Sequence, residues 1–144
     1  MNEPRRFSLI KPSVDTPFHI DMDWWKQFDR NWRVFLHDCM CPEHQAMFEN
    51  LEESNWVDSI DPETAEVKRV DGLQHVLMTH CAKQPSFISA NTTMVDAVFR
   101  VFLSNGNTPL TIREISAIIM RPPETILRTI SGPTIYKGLR PYKN

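Results

Sequence analysis

The chain carries three cysteines and five histidines. All the cysteines and two of the histidines fall in two tight groups, Cys39, Cys41 and His44, then His80 and Cys81. Thiolate and imidazole together suit zinc, and structural zinc takes four such ligands in tetrahedral geometry. Cys41-x-x-His44 has knuckle spacing, in which Pro42 stiffens a turn that lets both side chains face one ion. A second pair from a distant helix would clamp two parts of the N-terminal region together. The expected quartet is therefore Cys41, His44, His80 and Cys81, with Cys39 as the substitute if one of the last two points away. Adjacent residues on a helix diverge by about 100°, so His80 and Cys81 share an ion only where their helix ends. Pro85, shortly downstream, supplies a reason for it to end there. The plainer alternative makes Cys39 and Cys81 small buried hydrophobes and the histidines ordinary polar residues. His19, His37 and His75 stand alone, and each reads as a residue at the surface or behind a ligand.

Other chemistry finds little support in these residues. A catalytic cysteine needs an electropositive setting, and the acidic Asp38 and Glu43 flank this group. Four glycines in the whole chain provide no Gly-rich phosphate loop. Carboxylates such as Glu52-Glu53 and those from Asp58 to Glu66 read as solvated faces and turns. The expectation is a protein that is not an enzyme, with no small-molecule substrate evident.

The elements that must position these groups can be read from spacing. Residues 1–20, with Pro4, Pro12 and Pro17, read as an extended arm that is ordered where Phe7, Leu9, Ile10 and Phe18 find a groove. Asp21 to Cys39 reads as one helix, because Trp25, Phe28, Trp32, Phe35, Leu36 and Cys39 form an apolar stripe. Those aromatics suit a core, and a base-stacking platform is the sharper alternative. A second helix is expected from Glu43 to Glu53. Trp56–Ile60 and Ala65–Val70 then alternate around Asp61-Pro62-Glu63-Thr64, which predicts a hairpin. Another helix follows Gly72 and stops by Gln84-Pro85-Ser86, and a soft boundary falls near residue 90.

Three amphipathic segments come next. Thr93–Leu103 has Val95, Val98, Phe99 and Phe102 at helical spacing and is stopped by Asn105-Gly106-Asn107. Thr111-Ile112-Arg113-Glu114 is a capping box, opening a helix whose apolar face is Ile112, Ile115, Ile118 and Ile119. Pro122-Pro123 opens a third helix, since first-turn amides lack partners anyway, and Gly132-Pro133 closes it. Thr134–Tyr136 and Leu139-Arg140 read as two short strands around a tight Lys137-Gly138 turn. This order, over about residues 92–142, resembles the winged helix-turn-helix family. The resemblance implies that the third helix enters a DNA major groove and that the hairpin wing lies along the backbone. Glu124, Thr125, Arg128 and Thr129 would face the partner, with Arg128 the candidate to read a guanine edge, while Arg121, Lys137, Arg140 and Lys143 would meet phosphates. Fold does not decide function, however, and such folds also bind proteins. In that alternative Tyr136, Leu139, Tyr142 and the N-terminal arm form the contact surface.

Composition sets the remaining bounds. Hydrophobic residues make up 41% of the 144, enough for a packed core. An odd cysteine count argues against a disulfide framework. No apolar run approaches the ~18 residues of a membrane span, and Arg5-Arg6 precedes no apolar leader, so a cytoplasmic setting is expected. Residues 1–89 hold nine Lys/Arg against fifteen Asp/Glu, while 90–144 hold seven against three. A basic segment joined to an acidic one fits a chain of which one part meets a polyanion. The reading is thus a mainly α protein in three parts. An extended arm spans 1–20. A helical part with a β-hairpin and a zinc knuckle spans 21–90, and a winged-helix-like part spans 91–144. Its expected role is DNA-binding and regulation of transcription, with protein–protein docking onto a larger complex as the alternative and structural zinc as cofactor.

Overall fold

The computed structural model describes residues 11–48 and 56–143. In chain order the elements are β1 (Pro17–Ile20), α1 (Met22–Phe28), α2 (Trp32–Cys39), α3 (Pro42–Met47), β2 (Trp56–Ile60), β3 (Val67–Asp71) and α4 (Gly72–Thr79). A 3-10 turn (Cys81–Lys83) leads to α5 (Met94–Ser104), β4 (Leu110–Thr111), α6 (Ile112–Ile119), α7 (Pro123–Ile130) and β5 (Leu139–Pro141). The fold is therefore mainly α with two small antiparallel sheets, β4-β1-β5 and β2-β3. No helix among the described residues is long and apolar enough to cross a membrane. Phe7, Leu9, Ile10 and the expected helix beyond Phe48 lie outside the described residues.

Helix α5 is the centre of packing. Its Ala97, Val98, Phe99, Val101, Phe102 and Leu103 are all buried. Trp25 and Phe35 meet Phe99 edge-on with ring centroids 5.1 and 5.0 Å apart. Such aromatic pairs add roughly 0.5–1.5 kcal/mol each beyond simple burial. Phe18 and Ile20 of β1, Leu73 and Leu77 of α4, Ile112 and Ile115 of α6, Ile126 and Ile130 of α7 and Leu139 of β5 join the same core. One cluster therefore draws residues from both sides of position 90. Trp25 is a core aromatic and Phe35 and Trp32 pack against the core half-buried, whereas Phe28 is 64% exposed.

The single helix expected over Asp21–Cys39 is two helices, and Asp29 is the reason. One of its carboxylate oxygens accepts the Trp25 indole N–H at 3.0 Å and the other accepts the Asn31 amide at 2.9 Å. Its own amide closes on the Trp25 carbonyl. A short acidic side chain that satisfies nearby backbone competes with helix continuation, and the chain turns before α2 begins.

The hairpin expected over Thr134–Arg140 is also corrected. The tight turn exists: Leu139 N–H donates to Tyr136 carbonyl at 2.9 Å, with Lys137 and Gly138 both at positive φ. Residues 134–136, however, form no strand. The partner of β5 is β1, in the register Phe18↔Pro141, His19↔Arg140, Ile20↔Leu139. The other edge of β1 pairs with β4. The last residues of the expected arm thus occupy the middle of the sheet, and Phe18 fills the core groove anticipated for it. Asn107, at φ 61°, fastens this arrangement by accepting the Ile20 amide at 2.9 Å and donating to the Ile20 carbonyl at 2.8 Å. The Thr111–Glu114 capping box forms as read from the sequence.

Candidate metal centre

Cys41 precedes α3 in an extended conformation, with Pro42 in the first helical turn. Its carbonyl accepts the His44 and Gln45 amides at 3.1 and 2.9 Å, which brings the His44 ring back over the cysteine. Cys41 Sγ and His44 Nδ1 are 3.0 Å apart. Gln45 ties this turn to the end of α2: its side-chain amide reaches the His37 and Asp38 carbonyls, and its own carbonyl lies 2.8 Å from His37 Nε2.

The second pair arrives from α4. That helix ends at Thr79, and His80 sits beyond it at φ −121°, ψ −63° before the 3-10 turn begins. Cys81 Sγ lies 3.5 Å from Cys41 Sγ and 3.7 Å from His44 Nδ1. The His80 ring stands 4.5 Å from that of His44, and the ligand atoms of Cys41, His44 and His80 all lie within 4.8 Å of one another. Around a tetrahedral zinc two sulfurs stand about 3.8 Å apart, and a sulfur and a nitrogen about 3.6 Å apart, given Zn–S near 2.3 Å and Zn–N near 2.0–2.1 Å. The two Cys81 separations are close to those edges, whereas the Cys41–His44 separation, at 3.0 Å, is shorter. Cys41, His44 and His80 lie close enough together to hold a metal ion, while Cys81 lies near Cys41 and His44 but is not part of that group of three.

Cys39 plays no part in this constellation. It is buried in the core at the end of α2, and burial pushes its thiol up to about 12, with the nearby Arg100 only partly opposing the shift. Burial also raises the Cys81 thiol. A bound cation would reverse that preference, because a coordinated thiol is deprotonated outright.

Asp71, 7% exposed, positions the second pair. One of its oxygens caps α4 by accepting the Leu73 and Gln74 amides, and the other pairs with Arg33 of α2. The carboxylate therefore fixes α4 against the helix that leads into Cys41. An Asp immediately before a helix was a visible capping signal, whereas its ion pair with Arg33 spans 38 positions and leaves no local trace.

Most of the residues expected to face nucleic acid make contacts within the chain. Arg121 donates to the Thr92 carbonyl at 3.2 Å. Lys137 lies 4.2 Å above the Phe35 ring. Arg140 pairs with Asp21 at 3.1 Å and lies over Trp24. Thr129 donates its hydroxyl to the Thr125 carbonyl at 2.8 Å. Arg128 is exposed, and with Thr129 and Tyr136 it lines a shallow depression of about 350 Å³. Of the alternative contact surface, Tyr136 and Tyr142 are exposed and Leu139 is buried. Comparison with family models, with curated proteins and with solved structures gives no match.

Proposed function

We propose that the chain is a non-enzymatic, zinc-stabilised docking protein whose C-terminal part binds a partner protein at the turn between α6 and α7. The observation that carries the docking role is Met120. It adopts a left-handed backbone conformation at φ 58° yet leaves its side chain 83% exposed, beside the exposed Ile118. That conformation costs an ordinary L-residue about 1–2 kcal/mol, and glycine or asparagine relieves it at helix ends. A methionine in that conformation whose side chain lies largely in solvent supports a partner-binding turn.

Zinc is the metal that two thiolates and two imidazoles in tetrahedral array favour. Cys41, His44, His80 and Cys81 would hold it, and four protein ligands leave no position for a reacting water. Its contribution would be to fasten α3 to the end of α4. Elemental analysis of untagged protein tests this: one zinc per chain is expected, and less than about a tenth of an equivalent retires the site.

The docking role is tested by replacing Met120 with a photo-crosslinking amino acid in the full chain, in its native cells. The expected product is an adduct with one polypeptide, lost on adding Ile118→Glu. Adducts with nucleic acid, or none above the same probe at Glu63, contradict it. Exposed Arg128 supports a second reading, duplex DNA. That reading requires affinity that falls steeply with salt and disappears in Arg128→Ala with Lys137→Ala; unchanged affinity in that variant rejects the site.

A further inference from the structure

The two thiols of the metal centre adjoin a cavity that the metal does not explain. It holds about 170 Å³ and is lined by all three cysteines, Cys39, Cys41 and Cys81, with Phe87 and Arg100 among its other walls. At ~30 Å³ per water molecule in the liquid, that volume admits a small hydroperoxide. Arg100 makes one wall polar. Its guanidinium donates to the Phe87 carbonyl at 2.8 Å, lies 4.8 Å over the Phe87 ring and has Asp96 at 3.4 Å. Cys41 is half-buried, whereas Cys81 is buried behind it.

We infer that Cys41 and Cys81 are a site of reversible oxidation, in which a hydroperoxide entering this cavity joins them as a disulfide and expels the zinc. The inference rests on the metal reading above. The Cys41 sulfur gives an electron pair to the outer peroxide oxygen. The S–O bond forms as the O–O bond breaks, leaving a sulfenic acid and, with a proton from solvent, an alcohol or water. Cys81 sulfur then attacks Cys41 sulfur: the S–S bond forms, the S–O bond breaks, and hydroxide leaves as water with a second solvent proton. Two electrons pass from the two sulfurs to one hydroperoxide. The sulfurs start 3.5 Å apart and need to close by about 1.5 Å to reach a bonded S–S distance. His44 and His80 alone then hold zinc too weakly to keep it, since two of its four ligands are gone.

The test adds hydrogen peroxide to zinc-loaded protein and follows released zinc with a chromogenic chelator. Peptide mapping by mass spectrometry identifies the cysteines joined. One zinc released per Cys41–Cys81 disulfide is expected, with Cys39 still open to alkylation after denaturation and with zinc uptake restored by a thiol reductant. Cys39→Ala is expected still to form the Cys41–Cys81 bond, and Cys81→Ser to lose the disulfide. Zinc-loaded protein that forms no Cys41–Cys81 bond, or that joins Cys39 instead, overturns the inference and leaves the metal reading standing. Protein that never holds zinc yet forms Cys41–Cys81 supports the disulfide and overturns the metal reading.

Discussion

Gly138 is where β5 is drawn against the start of α1, and replacing it by alanine measures how tight that joint is. The residue sits at φ 78°, and the Asp21 amide donates to its carbonyl at 2.7 Å. A Cβ placed there would lie 2.9 Å from the Asp21 carbonyl oxygen and 2.9 Å from Trp25 Cβ. Neither neighbour is the loose end of a flexible side chain. The left-handed conformation costs alanine about 1–2 kcal/mol, and relieving the overlap costs roughly 1–3 kcal/mol more. A middle value near ~3 kcal/mol corresponds, for a chain of this length, to a fall in Tm of about 12 °C. Gly106 is the internal control. Its φ is 73° but nothing lies within 4 Å of its would-be Cβ, so Gly106→Ala should show the conformational cost alone, about 5 °C. Gly132, with an ordinary contact at 3.9 Å and no positive φ, should tolerate alanine within ~1 kcal/mol or gain slightly. Thermal unfolding followed by circular dichroism gives all three. Equal losses for Gly138→Ala and Gly106→Ala would refute the close approach of β5 to α1.

Asp71→Ala removes a helix cap and the ion pair with Arg33, and a destabilisation of roughly 2–4 kcal/mol is expected in urea unfolding; a change under about 0.5 kcal/mol would deny the carboxylate its joining role. Cys39 gives an alkaline signature. Its thiol has an ordinary value of 9.0 unfolded and is held near 12 by burial when folded. The native state therefore keeps the proton longer, and the associated stability is complete below pH 9 and lost as pH rises from 9 towards 12. Cys39→Ala should flatten that part of the stability–pH curve relative to the parent, and parallel curves would contradict the burial argument.

Much of the local structure was legible because it depends on near neighbours. The Thr111–Glu114 box, the Gly132-Pro133 stop and the Asp61–Thr64 turn each draw on residues within one turn of chain. The Cys41–His44 pair belongs to the same class. Its meeting with His80 and Cys81 was readable only as a match of donor types, and it came about because α4 ends at the needed residue. What escaped was set by distant partners. Asp29 breaks the first helix through a bond to an indole that a spacing argument treats only as apolar. The strand for β5 comes from residues 17–20, more than a hundred positions away, so the expected wing hairpin lost to a better-buried partner. Lys137 and Arg140 looked free in sequence because Phe35, Trp24 and Asp21 lie far along the chain.

X-ray absorption at the zinc edge of protein purified without a histidine tag tests the metal centre most directly. The first shell should fit two sulfurs at about 2.3 Å and two nitrogens at about 2.0–2.1 Å, with imidazole scattering beyond. The sulfur contribution should fall by half, from two sulfurs to one, in Cys81→Ser. A shell of oxygen alone, or a sulfur signal indifferent to that substitution, would contradict a centre built from Cys41, His44, His80 and Cys81.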